Sequence, residues 1–212
     1  MREMFYGCQN LINLDLSSFD TKNVTDMSKM FIFCCNLENI NLSSFDTKNL
    51  ISMRGMFEHC KNLNNINLSS FVTKNVNDMG QLFCDCHNLT NIDLSSFDTK
   101  NVNNMKGMFS NCYNLNTIDL SSFDTKNVNN MKGMFSNCLS LNNINLLSFN
   151  IKNVNDIVGM LYNCENCKTL NNIISEDTIK KEIKRSIYFR DWACIIGDPD
   201  EKFISDLNNI LK

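Results

Sequence analysis

Cysteine and histidine are the residues of this sequence whose chemistry would first suggest a site. The chain has 11 cysteines and two histidines among 212 residues. Cys84, Cys86 and His87 stand close together, and Cys164 and Cys167 form a C-x-x-C pair. A structural zinc ion needs four converging ligands, and no second pair stands at the spacing typical of a zinc finger. We therefore predict no metal site and no cofactor.

Catalytic groups of other kinds are equally sparse. His59 and His87 occupy variable positions beside a cysteine, and no Ser/His/Asp set, carboxylate pair or glycine-rich phosphate loop recurs. We therefore predict no catalytic residues and a protein that is not an enzyme. The net charge of −3 gives no electrostatic reason to expect nucleic acid as a partner. No apolar run approaches the ~20 residues that would predict a transmembrane segment.

A repeated unit of 26 residues organises the chain as far as residue 166. The unit reads C-x-N-L-x-x-I-x-L-S-S-F-D-T-K-N-V-x-x-M-x-x-M-F-x-x, and no insertion or deletion interrupts it between Met1 and Cys164. Seven cysteines share one position of the unit: Cys8, Cys34, Cys60, Cys86, Cys112, Cys138 and Cys164. Because they end an apolar stripe, we interpret them as small buried hydrophobic residues with free thiols.

Two periodicities alternate within each unit. Ile92 and Leu94 alternate with polar residues, which predicts a short strand. Val102, Met105 and Met108 stand three apart, which predicts a short helix. The Asx or Ser residue before the first methionine of each unit would cap that helix.

A strand, a turn and a short helix in each unit is the layout of a leucine-rich repeat. Stacked units would bury the apolar positions in continuous ladders. The sequence thus predicts an α/β repeat fold, a right-handed solenoid, over residues 1–166. It would have a parallel sheet of about six short strands at residues 11–16 and their equivalents, and short helices.

The outward-facing positions of these strands carry the candidate binding residues. Stacked about 5 Å apart, they would form two polar rows. They are Asn39, Asn41, Asn65, Asn67, Asn91, Asp93, Thr117, Asp119, Asn143 and Asn145, with Asn13 and Asp15 at the start. The rows are either amide ladders that bond along the stack or a recognition surface for glycan or protein. The lysine row that includes Lys100 is either a solvated edge or an anion-binding stripe.

The run from Leu94 to Cys112 closely resembles the BspA-like leucine-rich-repeat surface proteins and the related repeat family of mycoplasma surface lipoproteins. The motif is specific in its S-F-D-T-x-N-V-x-x-M-x-x-M-F core, and the resemblance covers roughly residues 1–164. It implies a non-enzymatic adhesion or interaction protein at a cell surface. The alternative is an intracellular scaffold for protein assembly.

The ends of the chain add further expectations. The first residues contain no signal-peptide h-region, so a surface location rests on the resemblance alone. The repeat begins in mid-unit, and because solenoid ends need caps, we expect either that further sequence precedes it or that end-to-end contact covers this end. After the repeat, Ile179, Ile183 and Ile187 form one apolar helical stripe. We predict that residues 167–212 form a C-terminal helical cap, in which Cys194 could form a disulfide with Cys167.

Overall fold

The computed structural model describes residues 1–142, 144–146, 148–164 and 166. In this part the chain makes one turn for every repeat unit, because equivalent residues of successive units lie side by side. Isolated parallel β-bridges link Asp26 to Ser52, Ser52 to Asp78, Asp78 to Asn104, Asn104 to Asn130 and Asn130 to Asp156. We call the turns coils 1 to 6, which comprise residues 1–26, 27–52, 53–78, 79–104, 105–130 and 131–156.

The prediction of short helices is wrong for the described residues, none of which lies in a helix. The segment from Met105 to Cys112 consists of tight turns instead. Met108 N donates to Met105 O at 3.2 Å, and Cys112 N donates to Phe109 O at 3.2 Å. Every second N–H of the segment donates to a carbonyl about one coil later, at Asn130, Lys132, Met134 and Ser136. A helix would use these N–H groups within one segment.

Left-handed backbone explains why the segment is not helical. Gly107 has a φ of 59° and Asn111 a φ of 60°. Each is the third residue of a four-residue turn, where a type II turn requires positive φ. The same two positions have positive φ in the other units, at Glu3, Gly7, Lys29, Phe33, Gly55, His59, Gln81, Asp85, Gly133, Asn137, Gly159 and Asn163. We call the surface formed by residues 27–34 and their 26-residue equivalents the turn face.

The parallel pairing also lies in a different place from the prediction. The bridged residues directly precede the turn face, whereas Thr117 is the one described residue of the L-x-x-I-x-L segments that takes part in a bridge. The residues predicted to cap helices cap turns instead. Asn104 Oδ1, for example, accepts a hydrogen bond from Lys106 N at 3.1 Å.

Most of the predicted core positions are buried, but the prediction is wrong for Cys8, which is exposed in coil 1, and Phe19, Ile66, Phe149 and Cys164 are half-buried. Phenylalanine rings of successive coils stack with their centroids 5.4–5.7 Å apart, at Phe31, Phe57, Phe83, Phe109 and Phe135. Methionine, leucine and cysteine side chains of the same coils complete one continuous core. Such ladders bury apolar surface that a single unit would leave exposed.

One buried threonine in each of coils 1 to 5 joins that coil to the next. Thr99 Oγ1 accepts from Asp124 N at 2.8 Å and donates to Asp124 O at 3.1 Å. The same pair of bonds is made by Thr21, Thr47, Thr73 and Thr125. A side chain thereby replaces the backbone pairing that a continuous sheet would supply at this corner.

The predicted C-terminal cap at residues 167–212 lies outside the described residues, as does the Cys167–Cys194 alternative.

Candidate binding groove

A shallow groove with a volume of about 1060 Å³ crosses the L-x-x-I-x-L segments of coils 1 to 4. Asparagine, aspartate and serine side chains form most of its lining, and a few aliphatic side chains complete it. The lining residues are Asn13, Leu14, Asp15, Ser17, Asn39, Ile40, Asn41, Ser43, Ser44, Asn65, Ile66, Asn67, Leu68, Ser69, Asn91, Ile92 and Asp93. We call this surface the groove.

Six of the ten predicted binding residues line the groove: Asn39, Asn41, Asn65, Asn67, Asn91 and Asp93. Thr117 and Asp119 are exposed in coil 5, and Asn145 is exposed in coil 6, but none of the three is part of the groove lining. Asn143 lies outside the described residues. The predicted surface is therefore brought together over four coils.

One polar row of the groove starts at Asn13 and continues through Asn39, Asn65 and Asn91. The second row, Asp15, Asn41, Asn67 and Asp93, shapes the local backbone. Asn41 Oδ1 accepts from Ser43 N at 3.0 Å, and Asp93 Oδ1 accepts from Ser95 N at 2.9 Å. These bonds close Asx turns, in which a short side chain mimics a backbone carbonyl. Asp15, Asn67 and Asp119 make the same contact.

The expected amide ladders do not run along these two rows. From coil 1 to coil 5, no side chain–side chain hydrogen bond joins one member of either row to the next. Amide ladders occur elsewhere, for example from Asn137 Nδ2 to Asn111 Oδ1 at 2.7 Å on the turn face. The amides of Asn13 and Asn39 have no hydrogen-bond partner in the described part of the chain, so they can bind other groups.

The floor of the groove carries unpaired backbone groups. Among the described residues, the N–H and C=O groups of residues 13–15, 39–41, 65–67 and 91–93 have no hydrogen-bond partner. On the turn face, by contrast, Gln81, Phe83 and Asp85 each donate their N–H to the next coil, and Met79 N donates to Asn104 O at the end of its own coil. The groove is thus the place where the stack leaves backbone donors and acceptors unused.

The groove carries negative charge. The Ser17 N–H lowers the pKa of the Asp15 carboxyl, and hydrogen bonds from Ser95 lower the pKa of Asp93. Both carboxylates are therefore ionised at neutral pH. No lysine, arginine or histidine is among the residues that line the groove.

The lysine row at the coil corner is neutralised by its own aspartates. Lys100 Nζ lies 2.9 Å from Asp98 Oδ2, and Lys22, Lys48 and Lys126 make the same contact. In coil 3 the aspartate is replaced by Val72, and no ion pair of Lys74 is found among the described residues. This pairing favours the solvated edge over an anion-binding stripe.

A second polar cluster, not predicted from the sequence, lies on the turn face. Asp85 Oδ2 is 3.7 Å from His59 Nδ1, and Asp85 Oδ1 is 3.5 Å from His87 Nε2. The His59 ring stacks on Phe33 at 4.4 Å, and the His87 ring stacks on Tyr113 at 4.5 Å. The sequence feature that could have predicted this cluster is a departure from the repeat, because His59 and Asp85 occupy the position that is asparagine in later units.

The cysteine ladder has a structural role in the stack. Cys112 Sγ donates to Phe83 O at 3.1 Å, and five equivalent thiols donate to carbonyl groups of the preceding coil. Burial raises the pKa of Cys34 to about 12 and raises that of Cys112 as well. In the described part of the chain, no three His, Cys, Asp or Glu residues are arranged to hold a metal ion.

The family model described as "Mycoplasma protein of unknown function, DUF285" matches residues 1–92 and 87–193. The chain belongs to this family. The match confirms the resemblance to mycoplasma and BspA-like repeat proteins that was drawn from the S-F-D-T-x-N-V core. No curated protein matches the chain. In the part that the structure describes, no helix is long and apolar enough to cross a membrane.

Solved structures of leucine-rich-repeat proteins are similar to the fold. The T. pallidum leucine-rich-repeat protein TpLRR is 21% identical, with a TM-score of 0.52, over 88% of this chain and 75% of that chain. A Eubacterium ventriosum protein is 19% identical, with a TM-score of 0.34, over 62% of this chain and 40% of that chain. A Bacteroides ovatus protein is 17% identical, with a TM-score of 0.30, over 62% and 34%. The first of these confirms the leucine-rich-repeat solenoid.

Proposed function

We propose that this chain is a non-enzymatic repeat scaffold that binds protein or glycan through the groove. The observation that carries the proposal is the unused hydrogen-bonding capacity of the groove, both in the Asn13 and Asn39 amides and in the backbone beneath them. Polar groups without a protein partner are free to exchange water for a ligand. Repetition over four coils suits a ligand that makes many similar weak contacts.

The setting that we propose is a cell surface, in adhesion or host interaction. Its support is the resemblance to BspA-like surface proteins. The alternative is assembly with another protein inside a cell. The observation that favours this alternative is that the nine described cysteines are all free thiols, which persist most readily in reducing compartments.

Alanine substitutions in the groove test the binding surface. The groove variant carries Asn39→Ala, Asn65→Ala and Asn91→Ala, which remove one amide from each of three coils. The matched control carries Asn77→Ala, Asn103→Ala and Asn129→Ala, which remove three exposed amides outside the groove. Beads coated with the full chain would be counted on cultured epithelial cells.

We expect the groove variant to lose most of the adhesion and the control to keep it. Treating the cells with protease or with glycosidases then separates a protein partner from a glycan partner. Equal adhesion of the two variants would place binding outside the groove. Failure of the unaltered chain to adhere would contradict the surface role and leave the assembly alternative.

A further inference from the structure

The dimensions of the groove limit the kind of ligand that can follow it. The groove crosses four coils, whose stacked phenylalanine rings are separated by steps of 5.3, 5.5 and 5.7 Å. An extended polypeptide advances about 3.3 Å per residue, so about five residues would span these three steps. The groove is therefore long enough for a short extended segment and too shallow to enclose a folded domain.

The hydrogen-bonding groups of the groove match those of a polypeptide backbone. Each residue of a peptide brings one donor and one acceptor. The groove offers both kinds, in the asparagine amides and in the unpaired backbone groups of residues 39–41 and 65–67. A glycan could use the same groups, but sugar rings also pack their C–H faces on aromatic side chains. No aromatic residue is part of the groove lining.

Charge identifies the side chains that such a segment would carry. The row of Asp15, Asn41, Asn67 and Asp93 places a carboxylate in the first and in the last coil of the groove. The Asx turns hold both carboxylates ionised, and no cationic side chain lines the groove to neutralise them. An ionised surface without counter-charge favours a ligand of opposite sign.

We infer that the groove binds an extended polypeptide segment that carries basic side chains, one near Asp15 and one near Asp93. This inference rests on the proposed function, because it names the partner of the same groove. Asn41 and Asn67 contact the middle of the segment, where they donate to its carbonyl groups.

Fluorescence anisotropy of labelled hexapeptides with the full chain tests this inference. The probes are alternating Thr-Lys, Thr-Gln and Thr-Glu peptides, together with the labelled hexasaccharide of N-acetylglucosamine. A second variant, the carboxylate variant, carries Asp15→Asn and Asp93→Asn. Both substitutions retain the Asx turn, because asparagine closes it at positions 41 and 67. The matched control carries Asp98→Asn and Asp124→Asn at the coil corner, with the same change of charge.

We expect the Thr-Lys peptide to bind about tenfold more tightly than the Thr-Gln peptide, as two exposed ion pairs together allow. The carboxylate variant should lose this advantage, and the control variant at the coil corner should keep it. Added salt should weaken binding of the Thr-Lys peptide alone.

Three other outcomes would overturn the inference. Equal binding of the three peptides, or no peptide binding, would exclude charge recognition. A Thr-Lys advantage that survives in the carboxylate variant would mean that the basic segment binds elsewhere. Binding of the hexasaccharide without the peptides would contradict the inference and support the proposed function. By contrast, the predicted peptide binding together with unimpaired adhesion of the alanine groove variant would support the inference and contradict the adhesion role of the groove.

Discussion

Thr99 joins two coils through a single buried hydroxyl group. Its side chain is 1% exposed, and it both accepts from Asp124 N and donates to Asp124 O. The hydroxyl therefore satisfies a donor and an acceptor of the next coil. This threonine belongs to the consensus S-S-F-D-T-K of the repeat. Its burial could not be predicted, because apolar periodicity gives no reason to place a polar residue in the core.

We expect Thr99→Val to lower the free energy of unfolding by about 1–3 kcal/mol, because it leaves the Asp124 N–H unpaired. Urea denaturation of the purified chain would measure the loss. Thr99→Ser is the matched control, since it keeps the hydroxyl group and should be less damaging. A smaller loss for Thr99→Val than for Thr99→Ser would show that packing of the methyl group matters more than the hydrogen bonds.

Glu58 is a buried carboxyl in a polar network on the turn face. It is 8% exposed, and its Oε1 accepts from Gln81 Nε2 at 2.8 Å. Burial raises the pKa of Glu58, an effect that Asp85 reinforces and that His59, Lys29 and Arg54 oppose. The folded state thus binds this proton more tightly than the unfolded state, in which the pKa is near 4.5.

The stabilisation from this proton is complete below about pH 4.5 and disappears as the pH rises through the higher pKa of the folded state. We expect Glu58→Gln to remove this pH dependence while keeping an acceptor for Gln81. Melting temperatures of both proteins between pH 4 and pH 7 would show it. An unchanged difference between them across this range would contradict the raised pKa.

The spacing of apolar residues on the turn face fits two different structures. Offsets of three between Val102, Met105 and Met108 fit a helix, but they also fit consecutive turns whose apolar residues point inward. The decisive signal is Gly107 together with Asn111, because glycine and asparagine tolerate positive φ best. Lys29, Phe33 and His59 obscure this signal, because they adopt positive φ as other residue types.

Gly107→Ala distinguishes the two structures by the sign of its effect. In a helix interior alanine would stabilise by about 0.5–1 kcal/mol relative to glycine. At a φ of 59° a side chain costs roughly 1–2 kcal/mol. The nearest atoms to an added Cβ, at 3.6 and 3.7 Å, leave room for it, so we expect destabilisation from the backbone alone.

Urea denaturation of Gly107→Ala beside the unaltered chain would measure this effect. Gly80→Ala is unsuitable as a control, because its added Cβ would lie 2.7 Å from Asn104 Nδ2. Gly133→Ala repeats the test one coil later, at the same φ and with similar space. A gain in stability at both positions would favour the helix.

At the scale of the whole molecule, the sequence predicts the stack and its inward ladders because each repeats without interruption. It also predicts the two polar rows, since alternation around Ile92 and Leu94 points them outward. It does not predict which rows bond between coils. The alternation of the L-x-x-I-x-L segment fits a paired strand and an unpaired extended segment equally well.

The coils pair through the turn face and leave the groove floor unpaired. Hydrogen–deuterium exchange of backbone amides in the free protein measures this directly, because amides with protein partners exchange more slowly. In coil 4, we predict slow exchange at Met79, Gln81, Phe83 and Asp85 and fast exchange at residues 91–93. Equal protection of the two groups would mean that a continuous parallel sheet crosses the groove floor and that its backbone groups are paired.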